Sequence, residues 1–165
     1  MTLSALLEKY DVPTPRYTSY PTVPQWHASP STAEWLASLT RAAHRPDAAL
    51  ALYVHLPFCE SLCSFCGCNT VITRDHGRER PYVDRVLAEL RTYLTHAPAI
   101  AGQPFEQLHL GGGTPTFLSA GELTRLVEGI YQLLPRRTSG FEGSVEVDPR
   151  VTGTAHLETL RRLGF

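Results

Sequence analysis

The chain has 165 residues, 42% of them hydrophobic and 19% charged, which is enough for one ordinary domain with its own core. A formal charge of −1 excludes the broad basic field of a nucleic-acid or membrane-surface binder, and no apolar run approaches the ~20 residues of a spanning helix. Met1 to Tyr10 lacks the basic-then-apolar pattern of a secretory leader, so a cytoplasmic protein with no nucleic-acid or membrane partner is expected.

Residues 1–48 read as an accessory segment and residues 49–165 as an α/β body. Leu3 to Tyr10 suits a short helix. The proline-punctuated run from Val12 through Pro13, Pro15 and Pro21 to Thr22 excludes regular helix. Ser31 to His44 reads as a helix, with Glu34 in its first turn and Trp35, Leu36 and Leu39 at helical spacing. From Ala49 the pattern alternates. A buried strand is expected over Ala49–Leu56, a helix over Arg80–Thr95 with Val83, Val86, Leu87, Leu90 and Leu94 on one face, and a second strand over Phe105–Leu110. A glycine run, Gly111-Gly112-Gly113-Thr114-Pro115, follows that strand. The next helix is expected over Ser119–Leu134, opened by a capping-box pair, Ser119 and Glu122. A third strand over Gly143–Val147 ends at Asp148-Pro149-Arg150, and a third helix over Thr154–Leu163 follows. Three βα units in series predict a parallel sheet with helices packed outside it. A three-stranded parallel sheet leaves its edges unpartnered, so the chain reads as part of a longer α/β protein.

All four cysteines, Cys59, Cys63, Cys66 and Cys68, fall within one short segment. Thiols packed this closely staple nothing and point to metal or redox chemistry. The C-x3-C-x2-C spacing puts three thiolates on one loop. A 4Fe–4S cube takes four, so three leave one iron with an open position. Structural zinc favours separated C-x2-C pairs, and no second pair is present; a non-catalytic zinc or other metal-binding module is the rival reading. Spacing alone leaves Cys68 a possible ligand. In parallel α/β folds ligands bind beyond the carboxyl ends of the strands. The cysteine loop, the glycine run and Glu146 each follow a strand, so all three are expected on one rim. Tyr53 and His55 alternate on the first strand and share a face. For His55 and His109 a satisfied core histidine and a role in proton or electron handling stand equally.

The cysteine loop after a first strand resembles that of the radical S-adenosylmethionine superfamily. Within it, Tyr-Val-His-Leu-Pro-Phe-Cys (residues 53–59), Phe-Cys-Gly-Cys-Asn (65–69) and Pro-Arg-Tyr-Thr-Ser-Tyr-Pro-Thr (15–22) resemble the oxygen-independent coproporphyrinogen III oxidase family. The resemblance runs from about Tyr10 to Phe165 and corresponds to little more than the first third of such an enzyme. It implies a partial radical-SAM β/α barrel made of the first three βα units. It implies a 4Fe–4S cluster held by Cys59, Cys63 and Cys66, with Cys68 a family marker outside the ligand set. Two molecules of S-adenosylmethionine are implied, Tyr53, Gly112 and Glu146 contacting the first and Phe65, Gly113 and Thr114 the second. The implied reaction is radical decarboxylation of coproporphyrinogen III propionates to vinyls, giving protoporphyrinogen IX. An electron donor such as flavodoxin or ferredoxin would supply it, and the complete enzyme would be a monomer. These 165 residues alone are expected not to turn over coproporphyrinogen. A haem chaperone or haem-degrading relative shares the cofactor machinery, but Cys68 and the Pro15–Thr22 stretch argue against it.

Overall fold

Three strands form a parallel sheet in the computed structural model of the protein, which describes residues 2–11, 19–26 and 28–165. Pro13 and Pro15 of the proline-punctuated run, and the first part of the family-marking stretch, lie outside the described residues. The chain divides into two compact units, Met1–Ala33 and Glu34–Phe165. The first holds α1 (Leu3–Tyr10), whose opening turn is capped by the Thr2 hydroxyl accepting from the Ala5 N–H at 3.3 Å. It also holds a 3₁₀ turn at Val23–Gln25, beside which the Trp26 indole donates to the Pro21 carbonyl at 3.0 Å.

The second unit holds all but the first two residues of α2 (Thr32–Ala43), then β1 (Leu50–Leu56), β2 (Phe58–Cys59), β3 (Val71–Ile72), α3 (Glu79–His96), β4 (Phe105–Gly112), α4 (Ala120–Leu133), β5 (Arg137–Val145) and α5 (Thr154–Leu163). The main sheet has the order β1-β4-β5, every pair parallel. Alternation along each strand gives it two unlike faces. Val54, Leu56, Leu108 and Leu110 turn inward and form one core with Val83, Leu87 and Leu90 of α3, Leu123, Leu126, Val127 and Ile130 of α4, and Leu163 of α5. Burying each of these side chains contributes roughly 1.5–3 kcal/mol. The same periodicity that marked Val83, Leu87 and Leu90 in the sequence buries them here, while Val86 and Leu94 pack at the margin.

Besides β2 and β3, which were not expected, and β4, which runs on through Gly111 and Gly112, two elements differ from expectation. β5 starts at Arg137 rather than Gly143 and stops at Val145. The Arg137 guanidinium lies over the Tyr131 ring at 4.1 Å and Phe141 packs edge-on against Phe105 at 5.2 Å, which carries the strand past the weak Thr138-Ser139-Gly140 stretch. The register shifts once on the way, between Phe105 and Gln107. The capping box at α4 forms only by half. Ser119 accepts from the Glu122 N–H at 3.4 Å, but its own N–H donates to Glu79 at 2.9 Å, so Glu122 pairs with Arg125 instead. Among the described residues no helix is long and apolar enough to cross a membrane.

Candidate cofactor site

β1 runs out through Pro57 into β2, and β2 is gripped on both sides. On one side it pairs with β3, the Val71 N–H donating to the Pro57 carbonyl (2.8 Å) and the Thr73 N–H to the Cys59 carbonyl (2.9 Å). This two-stranded ribbon closes the cysteine loop at its base. On the other side the Gly113 N–H donates to the Leu56 carbonyl (2.8 Å) and the Thr114 N–H to the Phe58 carbonyl (2.9 Å). The glycine run is thereby hydrogen-bonded to the root of the cysteine loop. Side chains are excluded there: a Cβ on Gly113 would lie 2.7 Å from the Pro57 carbonyl oxygen. Gly112 has φ +113°, a left-handed conformation that L side chains avoid, and its absent side chain makes room for the His55 ring.

All four cysteines are free thiols; Cys59, Cys63 and Cys66 are half-buried and Cys68 is exposed. Cys59 Sγ lies 3.3 Å from the Thr114 hydroxyl, and the Cys66 N–H donates to the Cys63 carbonyl at 3.1 Å. The Cys66 sulfur raises the Cys68 thiol above its ordinary pKa. No group of three or more His, Cys, Asp or Glu side chains among the described residues is arranged to hold a metal ion. In donor chemistry the loop fits an iron–sulfur cluster: cysteines free of disulfides on one short loop, three of them half-buried, its base fixed by backbone hydrogen bonds.

The sheet face away from the helices is polar and open. Tyr53, His109 and Ser144 stand in one row across β1, β4 and β5. The Tyr53 ring stacks on His109 with centroids 5.6 Å apart, and His109 Nδ1 lies 2.7 Å from the Ser144 hydroxyl. His55 Nε2 donates to the Asn69 carbonyl at 2.8 Å, which leaves Nδ1 to accept from the Tyr53 hydroxyl at 3.0 Å. Partial burial, and then the Glu146 charge, raise the Tyr53 phenol above its ordinary pKa. An open cavity of about 680 Å³ lies on this face, with Tyr53, Gln107, His109, Glu142 and Ser144 in its wall.

Glu146 lies just past the end of β5, and its side chain is 56% exposed, so it carries no burial cost. One carboxylate oxygen accepts from the Gly112 N–H at 3.2 Å; the other is 3.6 Å from His109 Nε2. Tyr53, Gly112 and Glu146 therefore share one neighbourhood, and Cys59, Gly113 and Thr114 share the adjoining one. Phe65 stands apart, 89% exposed on the loop.

Two residues escaped the sequence reading. Glu79, only 5% exposed, accepts from both the N–H and the hydroxyl of Ser119 (2.9 and 2.8 Å) and pairs with His76 Nδ1 at 2.6 Å. His76 stacks on Phe117 at 4.4 Å and faces Glu60 of the cysteine loop at 3.6 Å. The hydrogen bond to Glu79 raises the His76 pKa above its ordinary value. This chain of contacts ties the cysteine loop to the segment that follows the glycine run. The second residue is Arg150. Asp148 holds its guanidinium through Nε (3.0 Å) and Nη2 (2.7 Å), and Nη2 lies 3.8 Å from Cys63 Sγ. The same turn is anchored where Thr152 donates to the Asp148 carbonyl at 2.7 Å and meets the Thr116 hydroxyl, also at 2.7 Å. An acidic residue in a helix's first turn is the only sequence signal for Glu79; for Arg150 it is the position just past the third strand, with nothing to pair it with Cys63.

No family model matches the chain. It is 43% identical over 162 residues to the oxygen-independent coproporphyrinogen III oxidase of Pseudomonas aeruginosa, covering 97% of this chain and 34% of that protein. A protein of the same name from Mannheimia haemolytica is 38% identical over 145 residues, covering 88% of this chain and 94% of its own length. Among solved structures, the Escherichia coli coproporphyrinogen III oxidase, described as a radical SAM enzyme, superposes with a TM-score of 0.80 at 37% identity, over 98% of this chain and 34% of that one. The chain spans about a third of the length of the Pseudomonas and Escherichia relatives.

Proposed function

The chain belongs to the oxygen-independent coproporphyrinogen III oxidase family, and from that premise we propose that its strand-end rim is the cluster-binding half of a radical-SAM active site. In this reading residues 49–165 are the first three βα units of a β/α barrel and residues 1–48 are an accessory segment. Cys59, Cys63 and Cys66 hold a 4Fe–4S cluster, and Cys68 stays outside the ligand set. A cluster held there would supply the one-electron reduction that cleaves S-adenosylmethionine and so starts the radical decarboxylation of coproporphyrinogen III propionates to the vinyls of protoporphyrinogen IX.

The chain's own residues bind and orient. Gly112 and Gly113, lacking side chains, let the glycine run close onto the His55 ring and the root of the cysteine loop, which sets it beside the proposed cluster position. Glu146 is the acceptor for the amino end of a first S-adenosylmethionine, with Tyr53 beside it; Phe65, Gly113 and Thr114 meet a second. The open cavity on the polar face gives a porphyrinogen its approach, and an external low-potential donor of the flavodoxin or ferredoxin kind supplies the electron. One observation carries the reading. The cysteine loop and the glycine run, 50 or so residues apart, are joined by the Gly113–Leu56 and Thr114–Phe58 hydrogen bonds, with Glu146 hydrogen-bonded to Gly112 alongside. A cluster and a ligand chelated to it need that adjacency.

The test is anaerobic reconstitution with iron and sulfide, followed by dithionite and S-adenosylmethionine. The expected result is a brown, oxygen-sensitive protein that releases methionine and 5′-deoxyadenosine. A colourless chain that takes up zinc instead would support the metal-binding module and overturn the proposal. Incubation with haem against coproporphyrinogen separates the haem-handling alternative, because only one should be bound.

A further inference from the structure

We propose that Arg150 tunes the reduction potential of the cluster, holding it high enough for the external donor to reduce it. The inference rests on the cluster assignment above and deepens it. Arg150 sits in the turn after β5, 87 residues from Cys63, yet its Nη2 points at the Cys63 sulfur from 3.8 Å. That distance lies within the range of an N–H···S hydrogen bond. The placement is built rather than incidental. Asp148 engages the guanidinium through both carboxylate oxygens and also accepts from the Arg150 backbone N–H at 2.9 Å. The Asp148 carbonyl in turn receives the Val151 and Thr152 N–H groups, and Thr152 is tied to Thr116 behind the glycine run. The guanidinium is thus fixed to the same frame that positions the cysteine loop.

The physics gives the effect a sign. Reduction adds one electron to a cluster that already carries negative thiolates. A cation and an N–H donor at a ligating sulfur both favour the more negative state, so they raise the potential. Asp148 offsets part of that charge, and Arg150 is 64% exposed, so solvent screens the interaction and the effect is moderate.

The experiment uses the full chain with its reconstituted cluster and compares the parent protein with Arg150→Lys, Arg150→Gln and Arg150→Glu. Midpoints come from titration with dithionite, the electron source, followed by electron paramagnetic resonance of the reduced cluster. Arg150→Lys keeps the charge and stays near the parent. Arg150→Gln lowers the reduced-to-oxidised ratio at a fixed potential by about three- to tenfold, where tenfold corresponds to about 59 mV for one electron. Arg150→Glu falls further still. A structural role alone would not order the potentials by charge. Equal midpoints for the parent, lysine and glutamine forms would overturn the proposal, and that pair of variants decides even where Arg150→Glu loses its cluster. A parent chain that takes up no cluster contradicts the proposed function; a cluster whose potential ignores the charge at position 150 contradicts this inference alone.

Discussion

The two faces of the central sheet are built from the same three strands and do opposite work. Toward the helices, Val54, Leu56, Leu108 and Leu110 are sealed against α3 and α4. On the other face Tyr53, His55, His109 and Ser144 are left partly open and bond mainly to one another. Along each strand, adjacent residues belong to different tasks: Val54 holds the fold together while its neighbours Tyr53 and His55 are available for chemistry. A substitution on the helix face should therefore cost folding free energy, and one on the open face should cost ligand binding with little loss of stability.

The largest effect that would test this division is Phe105→Ala. Phe105 is fully buried between Tyr131 and Phe141, and truncation should destabilise the chain by about 3–5 kcal/mol in urea unfolding. Next comes Glu79→Ala, which strips Ser119 and His76 of their partner and should cost about 1–3 kcal/mol. Gly113→Ala sharpens the contrast differently. Its methyl would meet the Pro57 and Phe58 carbonyls, so it should part the glycine run from the cysteine loop and cut cluster uptake more than it cuts stability. On the open face Tyr53→Phe removes only the hydroxyl that meets His55. Stability should stay within about 0.5 kcal/mol, while S-adenosylmethionine affinity, measured by equilibrium dialysis of the loaded chain, should fall. A stability loss for Tyr53→Phe comparable with that of Phe105→Ala would dissolve the distinction between the faces.

Smallest is a pH effect through His76. Its pKa is raised in the folded chain by the hydrogen bond to Glu79. The folded state then binds the proton more tightly than the unfolded one. The stabilisation is fully present below the unfolded value of about 6.5 and is lost as pH rises through the folded pKa. His76→Gln should remove that part of the slope, visible as a smaller fall in the unfolding midpoint than the parent's as pH rises above about 6.5.

Much of this arrangement was legible in the sequence because it is written locally. Helical periodicity marked Val83, Leu87 and Leu90, and the spans expected for α1 (Leu3–Tyr10) and α5 (Thr154–Leu163) are those observed. The cysteine loop, the glycine run and Glu146 each lie at or just past the carboxyl end of a strand of the parallel sheet, so parallel topology alone puts them on one rim. What stayed hidden depends on contacts between distant segments. Glu79 meets Ser119 across 40 residues and Arg150 meets Cys63 across 87, and neither pairing leaves a local pattern. The short β2–β3 ribbon was invisible because two-residue strands carry no periodicity. The early start of β5 left no signal because Thr138, Ser139 and Gly140 carry no apolar alternation, whereas ring contacts by Arg137 and Phe141 hold them in the sheet.

The most direct test of the central claim is iron and sulfide content after anaerobic reconstitution, measured on the parent chain and on single Cys59→Ala, Cys63→Ala, Cys66→Ala and Cys68→Ala variants. Roughly four irons per chain are expected for the parent and for Cys68→Ala, with loss of the cluster in each of the other three. Retention of a full cluster by Cys63→Ala, or its loss in Cys68→Ala alone, would contradict the assignment of the ligands.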